Sequence, residues 1–232
     1  MIRPKNYYLD LYDSMVILND QTWKDRISWY MNKLKKNRER YENCPRPKGV
    51  PWFFIATIHM MEASGSFKNT IADGSSLPER VTWEDDTFNQ LVKEGLRNTV
   101  IKNINDFGYE AEKWNGFGYA LKGINSPYIF SGSNHGVGVG KYVSDGKYDA
   151  TAISSQLGIL VMVKKWIEIN NYQWEKSGFE TFEVVKEPFQ ETKKEEEPEG
   201  IKKPETSEVI EPEENSIKKL IRNFFNYFRF WG

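Results

Sequence analysis

The stretch "WFFIATIHMMEASGSFKNTIADG", Trp52 to Gly74, decides how the chain folds. From Trp52 to Ala63 the side chains are apolar nearly all round, so a helix here belongs in the middle of a core. "CPRPKGVP", Cys44 to Pro51, stops whatever helix precedes it, because proline removes a donor and restricts its neighbour. At the other end the apolar run closes on one carboxylate, Glu62, and breaks at once into Ala-Ser-Gly-Ser. Such a glutamate is either a helix end paired with a cation or a proton donor held in a dry cleft. Neighbouring Trp, Phe and Met side chains disfavour its charged form, which suits a general acid that protonates the leaving oxygen of a glycosidic bond. On these residues alone both readings stand.

Working outward, residues Tyr8 to Glu42 carry apolar positions at Trp23, Ile27, Tyr30 and Leu34, the rhythm of a one-sided helix. After Glu62, residues Ser64 to Val81 are rich in Ser, Gly, Asn and Asp. "ADGSS" is a turn signal, and the segment reads as a small hairpin or irregular β-flap. Thr82 or Thr87 caps a helix expected to run to about Phe107, with the acids of "TWEDD" in its first turn. Glycines are too frequent from Tyr109 to Ala150 for continuous helix, and turns carrying Tyr, Trp and Phe are expected there. A strongly apolar helix over roughly Ala150 to Asn170 closes the domain. Residues 179–214, mostly Glu, Lys and Pro, read as a disordered linker. Residues 215–232 place Ile217, Leu220, Ile221, Phe224, Phe225, Phe228 and Trp231 on one helical stripe with Lys and Arg elsewhere, a basic amphipathic helix.

Composition removes several function classes. With 32 basic and 33 acidic residues among 232, the formal net charge is -1, so nothing draws the chain toward nucleic acid. One cysteine, Cys44, excludes an intrachain disulfide, and His59 and His135 stand outside any HExxH spacing. "GVGVGK" (Gly136 to Lys141) is not a phosphate loop, since Tyr142 follows the lysine. "SDGKYD", with Asp145 and Asp149, falls short of a calcium loop. No metal and no cofactor is expected. The N-terminal "MIRPKNYYLDLYDSMVIL" is broken by charges where a signal peptide needs an apolar core, and no run is long enough to span a bilayer. Synthesis in the cytoplasm without a signal peptide is the expectation.

A helix ending Glu-Ala-Ser-Gly-Ser-Phe ahead of a flap resembles the catalytic helix of the lysozyme superfamily. More closely, "IHMMEASGSF", "ADGSSL", "VTWEDD", "WNGFGY", "SPYIFSG", "GKYVSDGKYD" and "QLG" occur in one order, over about Pro51 to Gly158, similar to lysozyme-like proteins of bacteria and phages. The resemblance implies a catalytic Glu62. The flap departs from the group's pattern, with Ala72 for its His, Asp73 for its Asn and Ser75 for its Asp. That leaves the second acid open between Asp73, in the flap, and Glu84, at a helix start where an acid is also ordinary. A lytic transglycosylase needs no second acid.

For substrate, "NGFGY" offers Asn115 to an acetamido group and the rings of Phe117 and Tyr119, while "SPYIFSG" offers Tyr128. Each of these also fits a turn whose aromatics enter the core. His59, one turn before Glu62, reads as a satisfied core histidine rather than a catalytic one.

The expectation is therefore a mainly α (α+β) lysozyme-like domain over residues 1–178, a linker over 179–214 and a terminal helix over 215–232. The activity implied is a glycosidase acting on peptidoglycan glycan strands, at the cell wall or from a phage particle. The terminal helix would meet a membrane surface or a protein partner. The rival readings are a non-catalytic glycan-binding or structural phage protein of the same shape, a lytic transglycosylase, and a chitinase-type enzyme.

Overall fold

Helix α4, Trp52–Ala63, runs through the centre of the molecule, and every one of its residues except Glu62 is buried. The computed structural model describes residues 3–144 and 146–170; the linker and terminal helix expected beyond 178, and Asp145, lie outside the described residues. Around α4 stand α1 (Tyr7–Asp13), α2 (Gln21–Lys36), α3 (Arg38–Glu42), α5 (Trp83–Lys93), α6 (Ile104–Trp114), α7 (Gly118–Leu121), α8 (Pro127–Phe130) and α9 (Ile159–Asn170). The described residues are thus mainly helical, with one two-stranded antiparallel sheet, β1 (Lys141–Ser144) and β2 (Lys147–Asp149).

Three neighbours cover α4: α3, α6 and α9. Phe54 meets Phe107 of α6 edge-on at 5.2 Å, while Trp52 and Phe53 both pack on Trp166 of α9 at 5.8 and 5.3 Å. Each fully buried side chain of this size stabilises the fold by about 1.5–3 kcal/mol, so Phe54→Ala costs about 3–5 kcal/mol once its cavity is counted. A core helix with polar ends needs both satisfied. Pro51 starts it without a side-chain cap. At the far end Ser64 turns left-handed (φ 51°), the Gly65 amide donates back to the His59 carbonyl at 3.2 Å, and Lys33 of α2 donates to the Ser64 carbonyl at 2.6 Å.

The long helix expected over Tyr8 to Glu42 is three helices. Residues 14–20 leave the helix because the backbone finds distant partners. The Leu18 amide donates to Gly132, the Val16 amide to the Asn134 side chain, and Ile17 bridges Ser133. Asp20 then caps α2 through its carboxylate. Thr82 caps α5 as expected, accepting from the Asp85 amide, but α5 stops at Lys93 because Gly95 takes φ 80°. The helix expected from Ala150 begins only at Ile159. The flap, Ser64 to Val81, is a set of turns with one bridge, Asn69 to Ser76, rather than a hairpin of strands. The described strands fall instead where turns were expected, at Lys141–Asp149, with Tyr142 opposite Tyr148.

A buried ion pair ties the N-terminus down. Arg3 donates from Nε and Nη2 to the two oxygens of Glu112 in α6, at 2.9 and 2.6 Å, and to the Ile124 carbonyl at 2.8 Å; the Tyr8 hydroxyl donates to the same carboxylate. Gly108 of α6 makes room for this, since a Cβ there would sit 2.5 Å from the Tyr8 ring.

Candidate functional site at the end of the central helix

Glu62 occupies the last turn of α4, half-buried, where the core opens to the surface. Four elements converge on it. From α8, the Tyr128 hydroxyl donates to Glu62 Oε1 at 2.8 Å, a bond that holds the carboxylate in one orientation. From the loop before α9, Gln156 donates to the Met61 carbonyl at 2.9 Å, satisfying one of the orphan acceptors of the helix end. From α2, Lys33 holds the Ser64 carbonyl. The flap closes the fourth side.

The flap is pinned to Glu62 by a glycine. A Cβ on Gly74 would lie 2.1 Å from the Glu62 carbonyl oxygen, and Gly74 has φ 71°, so only glycine fits the approach. Its loop is braced from within. Asn69 donates to the Gly74 carbonyl at 2.6 Å, the Thr70 amide to Ser75 at 2.8 Å, and the Thr70 hydroxyl to Asp86 of α5. Asp73 immediately precedes this glycine. Its Oδ1 accepts from the Ser75 amide at 3.0 Å and the Ser75 hydroxyl at 2.6 Å, which makes it the lock of the turn.

Glu84 is engaged differently. Arg40 donates to it from Nε at 2.7 Å while lying 3.9 Å over the Phe67 ring. That hydrogen bond, set against partial burial, holds the Glu84 carboxyl below the usual carboxylate range.

His59 is completely buried beneath the flap. Its Nε2 lies 3.0 Å from the Ser66 carbonyl and its Nδ1 2.9 Å from the Tyr41 hydroxyl. A carbonyl can only accept, so Nε2 carries the hydrogen and Nδ1 accepts from Tyr41. Burial pushes the imidazole down to about 4, leaving it neutral. It braces the flap against α4, as a core histidine does.

No family model, no curated protein and no solved structure matches this chain. The site's chemistry has to be read from its own geometry.

The remaining candidates divide. Tyr128 joins Glu62, where its hydroxyl is a hydrogen-bond partner of the acid. Tyr119 goes to the β1–β2 hairpin, its hydroxyl accepting from the Tyr142 amide at 3.1 Å and its ring 5.1 Å from that of Tyr142. Burial pushes the Tyr119 phenol up to about 12. Phe117, left-handed at φ 58°, packs on Tyr109 at 5.3 Å, and Asn115 ends α6 half-buried beside it. "NGFGY" thus turns α6 toward the hairpin. Sequence reasoning missed Gln156 and Lys33 as neighbours of the acid. "QLG" was a signal for the first; Lys33 showed only as one cation among many.

Among the described residues no group of His, Cys, Asp and Glu could hold a metal, and no helix is long and apolar enough to cross a membrane.

Proposed function

We propose that the chain cleaves the β-1,4 bond between N-acetylmuramic acid and N-acetylglucosamine in peptidoglycan, with Glu62 as general acid and a lysozyme-like fold around it. The observation that carries this reading is the half-buried Glu62 at the mouth of a fully buried helix, aimed by Tyr128 and flanked by a flap that only Gly74 allows so close. Glu62 gives its proton to the glycosidic oxygen as the bond to C1 breaks. Water then adds to C1, and the proton it sheds passes to a carboxylate. Asp73, in the turn whose Gly74 meets the Glu62 carbonyl and with Oδ1 taking both Ser75 bonds, is the group for that second task. Glu84 serves the reaction less well, since Arg40 already holds its charge.

The engagement of both second acids, Asp73 by Ser75 and Glu84 by Arg40, supports one alternative. In a lytic transglycosylase the sugar's own 6-hydroxyl attacks C1, and one glutamate suffices. A phage lysin or virion protein is the setting that fits a wall-cleaving enzyme of this kind. Turbidity clearing of purified peptidoglycan by wild type and Glu62→Gln tests the activity. Clearing is expected from wild type alone, and equal clearing by both removes Glu62 from the chemistry.

A further inference from the structure

On α2, Trp29, Lys33 and Lys36 are spaced i, i+4 and i+7, so they line one face, and Arg40 follows on α3 beyond the break at Asn37. That face runs past both ends of the flap's anchorage. Lys33 grips the Ser64 carbonyl, two residues beyond Glu62, and Arg40 covers Phe67 in the flap. The segment Lys33 to Arg40, "KLKKNRER", has five basic residues against one acidic in a chain whose net charge is -1. Trp29 stands at the start of this row, 44% exposed, while the neighbouring Tyr30 is buried. It is not loose. Tyr30 meets it edge-on at 4.9 Å, and the Lys33 ammonium sits 4.4 Å from the ring centroid. An aromatic ring held in place yet partly open to solvent loses little entropy when a ligand covers it.

We propose that this row is a substrate-binding wall of the Glu62 site: Trp29 stacks on a pyranose ring, and Lys36 receives a carboxylate of the peptide borne by the muramic acid. The inference rests on the glycosidase reading above. Lys33 and Arg40 are committed to Ser64 and Glu84, whereas Lys36, exposed at the end of α2, is placed to pair with an incoming anion. The wall would therefore tell a peptide-bearing glycan from a bare one.

Calorimetric titration of the full chain carrying Glu62→Gln, which binds without turnover, separates the parts. The two probes are a neutral N-acetylglucosamine tetramer and a peptidoglycan tetrasaccharide with free peptide carboxylates. Adding Trp29→Ala is expected to weaken both by about tenfold or more, with Trp29→Tyr restoring most of the loss. Adding Lys36→Glu is expected to weaken only the peptide-bearing probe and to flatten its salt dependence. Unchanged affinity of both probes in Trp29→Ala overturns the wall while leaving the chemistry at Glu62 intact, as does failure of the parent protein to bind either probe. Full clearing of peptidoglycan by Glu62→Gln removes the reading on which the wall depends, and the wall with it.

Discussion

Glu62 and Glu112 each sit near the C-terminal end of a helix, in α4 and α6, and the fold treats them in opposite ways. Glu112 is wholly enclosed and receives a two-pronged guanidinium from Arg3 as well as the Tyr8 hydroxyl. Both of its oxygens accept from buried donors, which offsets the cost of enclosing a carboxylate. Glu62 is half-buried, and the hydrogen bond that orients it comes from a neutral phenol, Tyr128. One acid is locked to hold the N-terminus on α6. The other accepts a hydrogen bond from Tyr128 at the end of the central helix. The two acids thus differ both in depth and in the groups that hold them.

That contrast can be broken most severely through stability. Glu112→Gln leaves the Arg3 guanidinium buried without its counter-ion and is expected to cost about 3–5 kcal/mol. Glu62→Gln is expected to shift stability by less than about 1 kcal/mol, as substitutions outside the packed core usually do. Urea melts of the two variants measure the difference, and a larger loss for Glu62→Gln would reverse the assignment.

The flap adds a pH dependence of its own. His59 holds its neutral form down to about pH 4 in the fold, whereas an unfolded histidine takes up its proton near 6.5. Between those values the unfolded chain binds more protons, so stability is complete above 6.5 and drains away as pH falls toward 4. The total is about 3–4 kcal/mol. Melts across that window should show this slope in wild type and lose it in His59→Gln.

Gly74→Ala tests the flap's anchorage on Glu62. The new methyl collides with the Glu62 carbonyl in a left-handed turn, and a loss of about 2 kcal/mol is expected together with a disproportionate fall in activity. Activity that follows the folded fraction alone would separate the flap from the chemistry. The smallest effect is expected from Tyr128→Phe, which removes one hydrogen bond from Glu62. A fall of about tenfold in kcat, with KM little changed, is expected from steady-state rates on soluble glycan.

Local signals were legible in the sequence. The bounds of α4 followed from its proline-rich approach and its all-round apolarity, the cap of α5 from Thr82, and the turn of the flap from Asp73-Gly74. What could not be read was set by partners far along the chain. Met15 to Leu18 keeps an apolar rhythm, yet the segment is extended because Gly132 to Asn134 is there to bond it. The Arg3–Glu112 pair joins residues whose link no spacing announces. Tyr128 reads as a sugar contact in the sequence, and its bond to Glu62 arises only once α8 packs on α6 and α9. The hairpin, by contrast, had a local signal. "KYVSDGKYD" alternates around an Asp-Gly pair, a hairpin pattern set among glycines that read equally as turns.

The most direct test is mass spectrometry of peptidoglycan digested in parallel by wild type and Glu62→Gln. Soluble muropeptides from wild type and none above background from the variant are predicted, with reducing ends if water attacks and anhydro ends if the sugar's own hydroxyl does. Equal release of fragments by both proteins, or release by neither, would contradict the account.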